Sequence, residues 1–510
     1  MRIQRYLVCS LIVFLFSAVV FAAVGDPRLD EARDLFRQGS EETSRRASII
    51  CREVNTVEAA ELMLEILKST GMGPGLPSGH YRDIVWEEMG KLTDPYAKAR
   101  IELELKKNKD SPWVRAWTAE LLGIYGDQEY TRTLTKALKD KDPRVRASAA
   151  EALGRLVFPD KNQATEKAVL ALTKVTSGKH PFERTNALIA LMKLAPEDWT
   201  QKYILATEGR AADKDGGVRC ALLGALPELA PGQVEAVSAR ALDDEDWRVR
   251  LQAVNHLAAA RSKTAIDRLI DATEDERPTI RLRAMDYLRE LTGQGHRQTQ
   301  GWRAWWKNSR ATFTFPEGSA KGQKPTSEGE TVATYNGIRV DSDHVAFLID
   351  KSSAMREQLV SQGKSKEMFA QAQLEEVLGK LPEGVTFNVY TYELDVEVFS
   401  EKGPLELTKK SKKKALDFVK DQRTKASKDI WQVLEMVVSD PHIDTIYLLS
   451  SGEPDTGKYV HWNRVTAHLQ DINRYQMVTV HTIAYSDNGW YREQMEKIAQ
   501  ATGGEFKWFE

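Results

Sequence analysis

Residues 141–156 read KDPRVRASAAEALGRL, and this stretch carries the signals of one amphipathic helix. Asp142 is a suitable N-cap, and Pro143 takes the first helical position, where its missing N–H costs no hydrogen bond. Four apolar residues then recur on one face at helical spacing, namely Val145, Ala149, Ala152 and Leu153. Because one helix pair cannot bury such a face alone, the stretch predicts a stack of similar units.

The same pattern of a turn, an aliphatic residue, an arginine and an Ala/Leu-rich stretch recurs along the chain. It returns at residues 111–123, 181–194, 215–226, 246–260 and 276–291. The arginines of the six copies are Arg115, Arg146, Arg184, Arg219, Arg250 and Arg281, spaced by 31 to 38 residues. This period is typical of solenoids built from helix pairs, and the pattern resembles HEAT-type repeats. We predict an N-terminal all-α solenoid of HEAT-like repeats over residues 29–310.

The six arginines have two interpretations. The structural one is a ladder of ion pairs and carbonyl contacts between adjacent repeats, and the functional one is a basic stripe that binds a ligand. Their even spacing at the start of a packed helix favours the structural interpretation. Three tryptophans within residues 302–306 follow the last copy. We expect them to cap the open end of the solenoid rather than to form a binding patch.

The composition is that of a soluble globular protein with more than one domain. The chain has 510 residues, of which 42% are hydrophobic and 29% charged, and this length exceeds a single core. The formal net charge of −2 predicts no general attraction to nucleic acid. Cys51 and Cys220 form no CxxC pair, so a zinc site is not indicated. Two buried thiols are favoured over a disulfide between them.

The first 23 residues have the features of an export signal. Arg2 and Arg5 precede an apolar run over residues 6–24, and Val20 and Ala22 fit the small-residue pattern of a cleavage site. The run is also close to the lower limit of a membrane span, so an uncleaved N-terminal anchor is the alternative. In both cases we expect a periplasmic or extracellular protein that meets a membrane only through this segment.

A second region follows a change in composition. Residues 311–334 are rich in Gly, Pro, Ser and charge, which predicts a flexible linker. Apolar runs of strand length then alternate with helical segments, with HVAFLID at 344–350, TIYLLS at 445–450 and MVTVHTIAY at 477–485. Such runs suit central parallel strands, and the alternation predicts a Rossmann-like, doubly wound α/β domain over residues 335–510.

Two segments of this region resemble the von Willebrand factor A (VWA) family. YNGIRVDSDHVAFLIDKSSAM at residues 335–355 is similar to the opening of a VWA domain, and DTIYLLSSGEPDTG at residues 444–457 is similar to its later strand and ligand loop. With the repeats, the chain resembles exported bacterial proteins that combine HEAT-type repeats and a VWA domain. The resemblance implies a metal ion-dependent adhesion site, in which Asp-x-Ser-x-Ser, a Thr and a later Asp bind a divalent cation.

The chain departs from that metal-site pattern. Asp350 and Ser352 match it, but Ala354 offers no oxygen and Ser451 stands where the family has Asp. A site that lacks these ligands is degenerate, because Mg²⁺ requires a nearly complete octahedron of oxygen atoms. We therefore expect neither a metal nor another cofactor.

The family's Thr aligns best with Lys428, although a shift of one residue would place Ser427 there. At about 4 Å and an effective dielectric near 20, an ammonium would repel a divalent ion by roughly 8 kcal/mol. We predict that the Lys428 ammonium takes the place of the cation and pairs with Asp350. The alternative is residual Mg²⁺ binding through the remaining oxygens, those of Asp350, Ser352, Ser451 and either Glu453 or Asp455.

The sequence lacks the short motifs of common enzyme classes, among them HExxH, GxSxG and GxxxxGK[ST]. We therefore expect a non-enzymatic protein-interaction scaffold. Its solenoid would bind one partner protein on the concave face, and its VWA-like region would dock another without metal. The alternatives are a metal-dependent adhesion or ligand-binding module and an accessory subunit of an exported enzyme complex. The basic run at residues 407–422 is interpreted as a solvated helix face, not as a nucleic-acid site.

Overall fold

The computed structural model of the chain describes residues 26–68, 82–109, 111–159, 162–200, 213–316, 333–422, 424, 427–454 and 456–510. The predicted export signal, most of the predicted linker and Asp455 lie outside the described residues. Within these ranges, no helix has both the length and the apolar composition needed to cross a bilayer.

The N-terminal region is helical. In chain order its helices are α1 (Arg28–Gln38), α2 (Glu41–Val54), α3 (Val57–Lys68), α4 (Arg82–Met89), α5 (Pro95–Lys107), α6 (Pro112–Tyr125), α7 (Thr131–Ala137), α8 (Pro143–Arg155), α9 (Gln163–Val175), α10 (Pro181–Leu194), α11 (Pro196–Thr200), α12 (Gly216–Leu229), α13 (Val234–Ala241), α14 (Trp247–Ala260), α15 (Lys263–Ala272), α16 (Pro278–Thr292) and α17 (Thr299–Ser309). The predicted helical solenoid is confirmed.

The arginine-containing copies form one layer of this solenoid. Helices α6, α8, α10, α12, α14 and α16 each pack against the next, and we call them the inner layer. Helices α5, α7, α9, α13 and α15 pack against these helices, and we call them the outer layer. The packing within the inner layer is close, because a Cβ atom at Gly154 in α8 would lie only 2.8 Å from the Ala190 Cβ in α10. Small residues in the repeat therefore set the distance between neighbouring units.

The C-terminal region contains the strands. They are β1 (Thr334–Tyr335), β2 (Ile338–Arg339), β3 (His344–Asp350), β4 (Gln358–Leu359), β5 (Lys364–Ser365), β6 (Thr386–Tyr392), β7 (Val396–Val398), β8 (Leu405–Glu406), β9 (Thr445–Ser450), β10 (Thr479–Tyr485) and β11 (Phe506–Phe509). The helices are α18 (Lys366–Lys380), α19 (Lys409–Asp421), α20 (Ile430–Val438), α21 (Trp462–Gln476) and α22 (Gly489–Ala501).

The main sheet is mixed. Its order is β11-β10-β9-β3-β6-β7, and β8 also pairs with β6. The strands from β11 to β6 are parallel neighbours, whereas β7 and β8 run antiparallel to β6. At this edge the sheet is not doubly wound. A tight turn after β6 returns the chain alongside it, and no crossover helix intervenes.

The two regions share a hydrophobic core. One face of the sheet packs against α18 and α19. On the other face, a single cluster of buried side chains runs from the sheet through α20, α21 and α22 into helices α1–α6. The C-terminal region therefore rests directly on the helices of the solenoid.

Polar contacts extend this interface along the solenoid. The Asp83 carboxylate accepts a hydrogen bond from the His461 backbone N–H at 2.8 Å. The Arg474 guanidinium of α21 donates to Asn186 Oδ1 of α10 at 2.6 Å. At the far end, Arg277 of the solenoid lies 3.5 Å from the buried Asp444 carboxylate. Part of the inner layer is therefore covered by the chain's own α21.

Candidate functional site

The residues of the degenerate metal site meet at one edge of the sheet. Asp350 is the last residue of β3, and Ser451 follows the last residue of β9. These strands are parallel neighbours, with Ile349 opposite Leu449, so their carboxyl ends meet at the same edge. Lys428 lies just before α20 and reaches the same point.

The Asp350 carboxylate is the centre of this cluster. Its Oδ2 atom accepts hydrogen bonds from the Ser451 hydroxyl at 2.6 Å, the Ser451 N–H at 2.9 Å and the Lys428 ammonium at 3.1 Å. Its Oδ1 atom accepts one from the Ser352 N–H at 2.7 Å. The ammonium also donates to Ser451 Oγ at 3.1 Å. The carboxylate is thus fully engaged by groups of this chain.

Burial and charge together determine the protonation of this cluster. Asp350 is 0% exposed and Lys428 only 4% exposed. Burial alone would raise the pKa of Asp350, but the Lys428 ammonium and the hydrogen bonds from Ser451 and Ser352 hold that pKa below its ordinary value. The side chain therefore remains a carboxylate that is paired with an ammonium inside the protein.

The residues present do not fit a divalent cation. The Lys428 Nζ atom lies 3.1 Å from each of two oxygens, Asp350 Oδ2 and Ser451 Oγ, that would otherwise be ligands. Ala354 has no side-chain oxygen and lies in the short helical turn Ser353–Arg356. Glu453, an alternative ligand, is exposed and makes no described contact with Asp350. Mg²⁺ would have to displace the ammonium and would still lack oxygen ligands.

The repeat arginines form a ladder between neighbouring units. Arg219 Nε and Nη2 bind both oxygens of Asp244 at 3.0 and 2.7 Å, while its Nη1 donates to the Asp213 carbonyl. Four others bind the following acid in the same way, in the pairs Arg115–Asp140, Arg146–Glu183, Arg184–Asp213 and Arg250–Asp275. Arg281 donates to the carbonyls of Asp275 and Glu276. Five of the six side chains are therefore used between repeats, and Arg281 is held by the turn before its own helix.

Two further sequence expectations concern packing. Trp302 is fully buried and Trp306 nearly so, and both belong to the last hydrophobic cluster of the solenoid. Cys51 and Cys220 are buried free thiols. Burial raises the pKa of both thiols.

An interdomain cleft is the feature that sequence reasoning missed. It has a volume of about 720 Å³ between α6, α8 and α10 on one side and α20 and α21 on the other. The Lys458 ammonium lies 3.7 Å from the centre of the Trp113 ring and 4.6 Å from that of Tyr459. Burial lowers the pKa of Lys458 to about 8, although the Glu435 carboxylate opposes this shift.

Arginine and carboxylate groups line the same cleft. The Arg464 guanidinium lies 3.6 Å from the centre of the Trp86 ring and 3.5 Å from the Glu120 carboxylate. Arg464 and Glu120 are 344 residues apart in the chain. No local pattern could have predicted their meeting, because a repeat motif describes contacts between neighbouring units and not contacts with a distant segment.

Comparison with known proteins agrees with the repeat assignment. A family model described as HEAT repeats matches residues 102–193 and 206–297. The predicted HEAT repeats are thereby confirmed over this part of the chain.

One curated protein and two solved structures illustrate what the chain is similar to. Deoxyhypusine hydroxylase of Phaeosphaeria nodorum is 29% identical over 126 residues, which are 24% of this chain and 38% of that protein. Human deoxyhypusine hydroxylase in complex with glycerol has a TM-score of 0.24 and 18% identity, covering 45% of this chain and 84% of the other. The von Willebrand factor type A structure from Catenulispora acidiphila has a TM-score of 0.27 and 16% identity, covering 34% and 40%. The two structural likenesses are too distant to carry an argument about this chain.

The expectation of a non-enzymatic protein is contradicted by the first of these matches. The relative of the repeat region bears the name of an enzyme, although this chain spans only 38% of that relative's length. The absence of short motifs was a poor guide for a physical reason. Carboxylates and imidazoles on separate helices of a solenoid can converge in space without any pattern in the sequence.

Proposed function

We propose that this chain is a protein-binding module in which a HEAT-repeat solenoid holds a VWA-like domain that works without metal. One observation carries the proposal. The Lys428 ammonium lies 3.1 Å from both Asp350 Oδ2 and Ser451 Oγ, at the point where an adhesion site of this family would hold its cation. An internal cation there removes the need for an external one.

Support for the VWA-like assignment comes from the order of motifs along the fold. The segment at residues 335–355 contains β3, whose last residue is Asp350. The segment at residues 444–457 contains β9, which Ser451 follows directly. Both segments therefore deliver their polar residues to the same edge of a parallel core of strands. In open α/β sheets this edge is the usual place for a binding site.

The interface with the solenoid supports a scaffold role. The shared hydrophobic core and the contacts of Asp83 and Asn186 hold the C-terminal region in one orientation on the helices. A rigid arrangement of this kind presents two binding surfaces at a constant separation. Export of the module is part of the proposal and rests on the leading segment of the sequence.

Affinity capture with the full chain tests the proposal. We expect the same partner proteins to be retained from an extract of the source organism in EDTA and in millimolar Mg²⁺. Partners that bind only with Mg²⁺ would favour a metal-dependent adhesion module. The absence of any specific partner under both conditions would contradict a protein-binding role.

Thermal unfolding of the full chain gives a second readout. We expect the midpoint to be the same in EDTA, Mg²⁺ and Mn²⁺. A metal ion present at 100 times its Kd would add about 2.7 kcal/mol to the free energy of unfolding. A clear upward shift would therefore show that the chain binds the ion and would contradict metal independence.

A further inference from the structure

A second surface of the solenoid is a groove between the outer-layer helices α7 and α9. It has a volume of about 860 Å³, and all of its lining residues belong to the solenoid. The groove is distinct from the strand-end cluster and from the interdomain cleft, with which it shares only Glu183.

The groove is strongly basic. Its lining contains five exposed basic side chains, those of Arg132, Lys136, Lys139, Lys167 and Lys174. Within the described part of the chain, none of the five forms an ion pair with a carboxylate. Of the two acidic residues in the lining, Glu183 is already paired with Arg146, which leaves Glu129. This excess of positive charge is local, because the whole chain has a formal net charge of −2.

The groove also has an apolar wall. Leu170 of α9 is 62% exposed there, and the side chains of Leu138, Ala171 and Val175 lie beside it. An exposed leucine framed by lysines is typical of surfaces that receive a complementary segment of another protein. A groove between two helices can bind an amphipathic helix or an extended segment of a partner protein.

We propose that this groove binds an acidic segment of a partner protein that carries an apolar anchor residue. The lysines and Arg132 would pair with its carboxylates, and the apolar residue would pack on Leu170. The inference rests on the proposed protein-binding function and names the chemistry of one partner.

A protein segment suits the groove better than a nucleic acid does. Recognition of single-stranded nucleic acid relies on aromatic side chains that stack on bases, and the lining of this groove contains none. Recognition of duplex phosphates does not need an exposed leucine. The combination of charge and apolar surface is therefore matched most closely by an acidic, amphipathic peptide.

Fluorescence anisotropy with a labelled peptide tests the proposal. The probe is a peptide of about 15 residues with repeating Glu-Glu-Leu, long enough for roughly four helical turns along the groove. We expect saturable binding to the full chain that weakens with added salt. A Glu-Glu-Ser peptide should bind several-fold more weakly, and a Lys-Lys-Leu peptide should not bind.

Charge reversal within the groove gives the decisive comparison. Lys136→Glu with Lys167→Glu should weaken binding of the acidic peptide by roughly tenfold or more, since two attractive pairs become repulsive. The matched control is Lys410→Glu with Lys413→Glu, which reverses two exposed lysines on α19. The control variant should bind like the wild type.

Three outcomes would overturn the inference. They are equal binding by the groove variant and the wild type, equal loss in the α19 control, and tighter binding of an oligothymidylate that the groove variant abolishes. The last result would assign the groove to nucleic acid. None of these results depends on divalent ions, so failure here is distinguishable from failure of the proposed metal-free module.

Discussion

The Lys428 ammonium and the Asp350 carboxylate form an ion pair inside the C-terminal region, with Nζ 3.1 Å from Oδ2 and the two side chains 5% and 0% exposed. Their charges come from distant parts of the chain and meet at the carboxyl edge of the sheet. A buried pair of this kind makes each partner depend on the other, because loss of one charge leaves the second without compensation.

Lys428→Ala should therefore destabilise the protein. We expect the free energy of unfolding to fall by about 3 kcal/mol, because Asp350 would remain buried with only hydrogen bonds to stabilise its charge. Denaturant unfolding measures the effect. The double variant with Asp350→Asn should recover part of the loss, and a Lys428→Ala protein as stable as the wild type would contradict the pairing.

The same pair predicts a dependence on pH. The folded pKa of Asp350 is below its ordinary value, so the stability that its charge contributes is present above the unfolded pKa. That stability is lost as the pH falls from about 4, the pKa of an unfolded Asp, through the folded pKa. The check is the difference in free energy of unfolding between the wild type and an Asp350→Asn, Lys428→Met variant. The free energy of unfolding of the wild type should fall relative to that of the variant as the pH is lowered. A constant difference would show that the pKa of Asp350 is the same in the folded and unfolded states.

Restoring the family's ligands should create a metal site. The triple variant Ala354→Ser, Lys428→Thr and Ser451→Asp replaces the ammonium and supplies the missing oxygens. Millimolar Mg²⁺ should raise its unfolding midpoint, because an ion at 100 times its Kd adds about 2.7 kcal/mol to the free energy of unfolding, while the wild type does not respond. Adding Asp350→Ala to the triple variant should abolish the response. No response in the triple variant would show that the VWA-like geometry is wrong.

The arginine ladder predicts that Arg219 and Arg281 contribute unequally to the free energy of unfolding. Arg219 binds both oxygens of Asp244, and the two side chains are 4% and 1% exposed. Arg219→Ala should therefore cost about 3 kcal/mol of unfolding free energy. Arg281, at the end of the ladder, donates to two backbone carbonyls. Its replacement by Ala should lower the free energy of unfolding by only about 1 kcal/mol. Equal losses in the two variants, measured by denaturant unfolding, would contradict the ladder.

Much of the fold could be predicted from local patterns. The run from Asp142 to Leu153 contains its own cap, its first-turn proline and its apolar face, and it forms α8 as expected. The apolar runs at residues 344–350 and 445–450 form β3 and β9 in the same way. The antiparallel pairing of β8 with β6 had no such signal, because a two-residue edge strand carries too little pattern.

The candidate sites were predictable to different degrees. The resemblance to the VWA family predicted that Asp350, Ser352, Lys428 and Ser451 belong to one site. The structure gives the distances between them. The interdomain cleft and the basic groove had no such signal. Trp113 and Lys458 meet in the cleft only because the C-terminal region lies on the inner layer of the solenoid.

The sequence by itself determined the period of the repeats, the order of strands and helices, and the loss of oxygen ligands at Ala354. These properties depend on neighbours within a few turns of chain, and side-chain chemistry is enough to define them. Only the tertiary structure decided that α21 packs on the inner layer. Packing between distant elements depends on the shape and burial of whole surfaces, which no local pattern encodes.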